Sequence, residues 1–169
     1  GGTGTASRRL ADAQGGYTVV VLVQANFGLR WQLQLAGVAL GRNLTDAAPF
    51  SGGQTPYSEQ GSIIITVATD APLLPHQLKR LARRAALGLA RTGSMAGNGS
   101  GDLFLAFSTA NPDAAQTTLR AAPVEILALN AIDPLFHATV LATEEAIINA
   151  LVAAKTMTGR EGHTAYVLP

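Results

Sequence analysis

Hydrophobic positions fall along the chain in two different rhythms. Residues 17–25 (YTVVVLVQA) are β-branched and almost wholly apolar, which predicts a strand buried on both faces. A turn signal follows at Asn26-Phe27-Gly28, and residues 31–40 alternate loosely through Trp31, Leu33 and Leu35, predicting a half-exposed partner strand. Residues 41–61 shift to Gly, Pro, Ser, Asp and Gln and predict a long loop. Residues 62–68 (SIIITVA) predict a second buried strand. Over residues 75–92 the period changes: Leu78, Leu81, Ala82, Ala85 and Leu89 form one helical stripe, with Gly93 placed to stop the helix. Alternation returns after Gly101, residues 111–122 predict a loop, and residues 124–129 predict a short strand. Asp133, as an N-cap, with Pro134 at the first helical position, opens a second helix running to about Met157 and ending at Gly159. The pattern is that of a sheet carrying two long helices, in one domain.

Composition narrows what such a domain can do. Of 169 residues, 47% are hydrophobic and 14% charged, which excludes a disordered chain. Alanine (30) and glycine (18) leave 48 positions nearly without side chain, so backbones must approach closely. No apolar run comes near the ~20 residues of a membrane helix, and a membrane protein is excluded. Twelve basic residues balance eleven acidic ones, so no overall field recruits nucleic acid. Lys79, Arg80, Arg83 and Arg84 read as a solvated helix face. There is no cysteine, and His76, His137 and His163 lack ligand spacing, so neither a metal nor another cofactor is expected. The glycines at residues 1–4 lack the strand, helix and Lys of a phosphate loop. No signal peptide is visible, which points to the cytoplasm, with the periplasm left open. A start at Gly1 rather than Met reads as part of something longer.

Two segments carry chemistry. In Asn98-Gly99-Ser100-Gly101-Asp102 a serine stands between a glycine-rich linker and a strand. It is not a nucleophile elbow, because position 98 is Asn rather than Gly, and no histidine offers itself as base. A serine can work without histidine if its own α-amine is free, since that amine titrates near ~7.7–8.0 and can serve as base at neutral pH. Cutting the bond before Ser100 would free it, and Gly99 suits an N-to-O acyl shift because glycine tolerates strained backbone. The second segment is Thr143-Glu144-Glu145 on the last helix.

Residues 4–8 (GTASR), 23–28 (VQANFG), 68–78 (ATDAPLLPHQL), 98–102 (NGSGD) and 142–146 (ATEEA) together resemble the L-aminopeptidase/D-esterase (DmpA-like) family, which includes β-peptidyl aminopeptidases. The resemblance implies an α+β fold, the αββα sandwich of N-terminal-nucleophile hydrolases, with an N-terminal part lacking here. It implies a precursor that cleaves itself, so that residues 1–99 are the C-terminal part of an α chain and residues 100–169 most of a β chain. Ser100 matches the nucleophile, acting on short peptides, amides or esters. Asn26 is the match for an oxyanion-stabilising asparagine, against its reading as a turn residue. Thr143 and Glu145 match a hydroxyl and carboxylate two residues apart. They sit ~200° apart around a helix, which leaves Asp133 as an alternative carboxylate. The expected partners are a missing N-terminal segment of the same precursor and further copies of the chain. The competing reading is an inactive truncated domain with a structural or ligand-binding role.

Overall fold

The computed structural model describes residues 1–44, 59, 61–115, 118 and 120–168. In chain order the elements are β1 (Gly2–Arg9), β2 (Thr18–Asn26), β3 (Ser62–Thr69), α1 (Pro75–Arg91), β4 (Leu103–Ser108), α2 (Asp133–Val152), β5 (Met157–Thr158) and β6 (Thr164–Ala165). The first four strands form one sheet in the order β1-β2-β3-β4. β1, β2 and β3 are antiparallel neighbours, whereas β3 and β4 run parallel with α1 as their crossover. β5 and β6 make a separate small hairpin.

Both helices lie on the same face of the sheet. Val19, Val21, Val23 and Ala25 of β2 and Ile63, Ile65 and Val67 of β3 point into that layer, against Leu81, Ala85 and Leu89 of α1 and Leu135, Ala142 and Ala146 of α2. Gln77, fully buried, ties the layer's far end. Its Oε1 accepts from the Leu74 N–H at 3.0 Å, and its Nε2 donates to the Leu127 carbonyl at 2.7 Å. Gly93 ends α1 with φ +101°, as its position in the sequence predicts.

The opposite face of the sheet is open, and this corrects the expectation that β2 and β3 are buried on both faces. Val20, Leu22, Ile64, Leu103, Leu105 and Phe107 are 41–61% exposed there. Residues 31–40 form no partner strand, because β1 and β3 already occupy both edges of β2. They make 3₁₀ turns at Arg30–Gln32 and Leu40–Arg42, joined by a tight turn between Leu35 and Val38. The glycine-rich start, which carries no strand signal, is β1. Residues 124–129 are not a strand either: they cross the start of α1, where the Leu127 N–H donates to the Pro72 carbonyl at 2.7 Å.

Asp133 is the first residue of α2, not its cap. The cap is Ile132, and no side chain bonds the helix start. The helix stops at Val152, short of Met157, which instead pairs with Ala165 in the hairpin. The span Leu129–Val152 is long and apolar enough to cross a membrane, contrary to the sequence expectation. Half of its most apolar stretch is buried here, because α2 packs between β1, β2 and α1. Most of the long loop expected at 41–61, namely residues 45–58 and 60, and residues 116, 117 and 119 of the 111–122 loop, lie outside the described residues.

Candidate active site

Strand directions gather the end of β2 and the starts of β3 and β4 at one end of the sheet. Asn26, the last residue of β2, pairs with Ser62, the first of β3. Ser62 Oγ in turn accepts the Gly101 N–H at 2.9 Å. Asn26 therefore lies two strand spacings, about 10 Å, from Gly101. Its side chain shares the open face of the sheet with Leu22, because side chains alternate along β2.

Before β4 the chain makes a tight turn. The Ser100 N–H donates to the Gly97 carbonyl at 2.8 Å, leaving Asn98 and Gly99 exposed at the tip. Asn-Gly is a favoured pair for such a tip. Gly97 N–H donates to Glu59 Oε2 at 3.2 Å, and the same carboxylate's Oε1 accepts from Gly28 N–H at 2.6 Å. Glu59, only 6% exposed, thus fastens the turn after β2 to the turn before Ser100.

Ser100 is half-buried, and its Oγ donates to Asp102 Oδ1 at 2.6 Å. That oxygen also accepts the Ile63 N–H at 3.0 Å. Asp102 Oδ2 is buried, with no hydrogen-bond partner among the described residues. A carboxylate is thus held against the hydroxyl that adjoins the Gly99 carbonyl.

The other sequence candidates lie elsewhere. Thr143 is fully buried where α2 meets α1, against Gly88. Its Oγ1 has no hydrogen-bond partner among the described residues. Glu145 forms an ion pair with Arg8, whose strand partner is Val19. The pair lies beside β1, the edge strand opposite β4: Glu145 adjoins Ala146, whose carbonyl faces Gly4, and Arg8 reaches it from further along the strand. Asp133 is exposed at the start of α2, at the end of that helix away from Gly2 and Gly4. Asn26 and Ser100 therefore share an end of the sheet, and Thr143, Glu145 and Asp133 are not brought to it. Glu144, between the two α2 candidates, pairs with Arg91 at the end of α1. Sequence reasoning assigned no role to Asp102 or Glu59. Asp102 carried a signal, an acid two residues beyond the serine at the start of a strand; Glu59 carried none inside a polar loop.

This fold, with a serine at the start of a strand, defines a class: the N-terminal-nucleophile-hydrolase-like proteins, of whose αββα sandwich this chain supplies one helical and one sheet layer. The chain belongs to peptidase family S58, whose model matches residues 1–165. It is 48% identical to the β-peptidyl aminopeptidase BapA of Sphingosinicella microcystinivorans, over all of this chain and 45% of that protein. Among solved structures, a Burkholderia sp. β-aminopeptidase superposes with a TM-score of 0.87 at 45% identity, over the whole chain and 46% of its own. The L-aminopeptidase D-Ala-esterase/amidase of Ochrobactrum anthropi, described as a variant of the Ntn hydrolase fold, superposes with a TM-score of 0.83 at 45% identity. That match covers the whole chain and 45% of the neighbour. The chain thus spans less than half the length of the relatives it matches.

Proposed function

We propose that the protein is a self-processing serine aminopeptidase. In this reading Ser100 cuts the Gly99–Ser100 bond, and its freed α-amine then serves as base while its hydroxyl attacks short peptides, amides or esters. The observation that carries the reading is the Ser100 hydroxyl, hydrogen-bonded to a carboxylate beside an exposed Asn-Gly turn. Membership of S58 and likeness to proteins named as β-peptidyl aminopeptidases support it. Asn26 supplies a donor to the developing oxyanion, a contribution worth a factor of ~10²–10³. The open face of the sheet receives a second β layer from the rest of the same precursor, and whole molecules associate further into an oligomer.

Intact mass and hydrolysis of aminoacyl p-nitroanilides by the full-length protein test this. Two chains separated at Gly99/Ser100 are expected, together with turnover. Ser100→Ala is expected to abolish both, because one hydroxyl serves both reactions, while Ser100→Cys retains processing. Cleavage at the same bond in Ser100→Ala would sink the assignment. The open sheet face also favours a second reading, a non-catalytic αβ module; a single uncut chain without turnover is its signature.

A further inference from the structure

Freeing the amine of Ser100 poses a problem that the amine itself cannot solve: before the cut it is an amide nitrogen, donating to Gly97, and is no base. Some other group must take the hydroxyl proton in the first reaction. Among the described residues the group hydrogen-bonded to Ser100 Oγ is Asp102. We infer that Asp102 is the catalytic base of the self-cleavage step, an inference that rests on the self-processing reading above.

The geometry suits the role. Oδ1 receives the Ser100 hydroxyl at 2.6 Å and is oriented by the Ile63 N–H at 3.0 Å, a ladder position of β3. Orientation by a backbone donor matters because a base must already point at the proton it removes. The neighbouring groups are engaged elsewhere. Glu59 is bound to Gly28 and Gly97, and Ser62 Oγ accepts from Gly101, which fixes the residue after the nucleophile. A purely structural role leaves Oδ2 unexplained, since a buried oxygen with no donor among the described residues is a cost that a fold does not need. An asparagine at this position could accept from Ile63 equally well.

The step balances. The Ser100 hydroxyl proton passes to Asp102 Oδ1 as Oγ bonds to the Gly99 carbonyl carbon. The tetrahedral intermediate breaks its C–N bond while the proton returns from Asp102 to the departing nitrogen. The product is an ester of Gly99 on Ser100 Oγ beside a free amine. Water then hydrolyses the ester, giving the Gly99 carboxyl group and restoring the hydroxyl, and Asp102 ends as it began.

The test is the rate of self-cleavage of the full-length precursor, followed by intact mass, in a cycle of four proteins: parent, Asp102→Asn, Ser100→Cys, and the double variant. Asp102→Asn is expected to slow cleavage by a factor on the order of 10²–10⁴, the range for a lost general base. In the Ser100→Cys background the same change is expected to cost less than about tenfold, because a thiol ionises near neutral pH without help. Equal losses in both backgrounds would make Asp102 a mere support of the turn and overturn the inference, as would a parent-like rate in Asp102→Asn. Should Asp102→Asn fail to fold, judged by thermal melting, Asp102→Glu decides: a folded, uncut Asp102→Glu chain that Ser100→Cys does not rescue counts against the base. Cleavage in Ser100→Ala, or none in the parent, would instead sink the self-processing reading itself.

Discussion

A serine hydroxyl is a weak nucleophile at neutral pH and needs a partner to take its proton. In this chain the hydroxyl's partner is a carboxylate two residues on, held in place by the Ile63 N–H of the neighbouring strand. The other carboxylate singled out from the sequence, Glu145, is spent on Arg8 beside β1, at the opposite edge of the sheet. Both members of that pair are more than a third exposed, and such pairs contribute ~0–1 kcal/mol. Glu145→Gln is therefore expected to lower stability by less than about 1 kcal/mol in urea denaturation and to leave cleavage at Gly99/Ser100 unchanged. A Glu145→Gln precursor that remains uncut would put this residue back at the site.

At the scale of elements, close approach is the organising fact. A Cβ on Gly4 of β1 would stand 2.0 Å from the Ala146 carbonyl oxygen and 2.7 Å from the Ala150 nitrogen, both backbone atoms of α2. A Cβ on Gly88 of α1 would stand 2.6 Å from Thr143 Cβ and from the Val140 carbonyl oxygen. Overpacking costs ~1–3 kcal/mol or more. In α1 it is offset by the ~1 kcal/mol that alanine gains over glycine within a helix. Gly4→Ala is thus expected to destabilise by about 3 kcal/mol and Gly88→Ala by about 1–2, read from denaturation midpoints. The reverse order would mean that β1 and α2 are not in contact as described. Gly4 also helps explain why β1 carried no strand signal: glycine is depleted in strands in general, and is needed here because the α2 backbone lies directly on the ladder.

Across the whole molecule the open sheet face dominates behaviour. Six apolar side chains from β2, β3 and β4 stand on one surface, and contiguous apolar surface of this kind marks an interface or an aggregation hazard. The 169-residue chain by itself is expected to associate with rising concentration in light scattering, and Leu105→Asp with Phe107→Asp to shift it toward monomer. Under the proposed reading, the same pair is expected to block docking of a second layer on this face in the longer protein, since a charge buried without a partner is costly. A monomeric parent chain at high concentration would argue that the face is not an interface.

The sequence by itself determined the elements whose patterns are set locally. β2, β3 and β4 follow from their apolar runs and alternation, α1 from its helical period and glycine stop, and the start of α2, though not its end, from Asp133-Pro134, while the NGSGD segment marks Ser100. It also carried the family, because five motifs in order are a property of the chain. Only the tertiary structure decided the rest. Whether an apolar strand is buried on one face or two depends on what covers it. Whether residues 31–40 extend as a strand depends on a free neighbouring edge, and β2 has none. The partner of a nucleophile is likewise a question of distance, not spacing. Asp102 Oδ1 meets Ser100 because the Ile63 N–H holds that carboxylate at the start of β4, whereas Glu145, on a helix that Gly4 lets lie against β1, meets Arg8 instead.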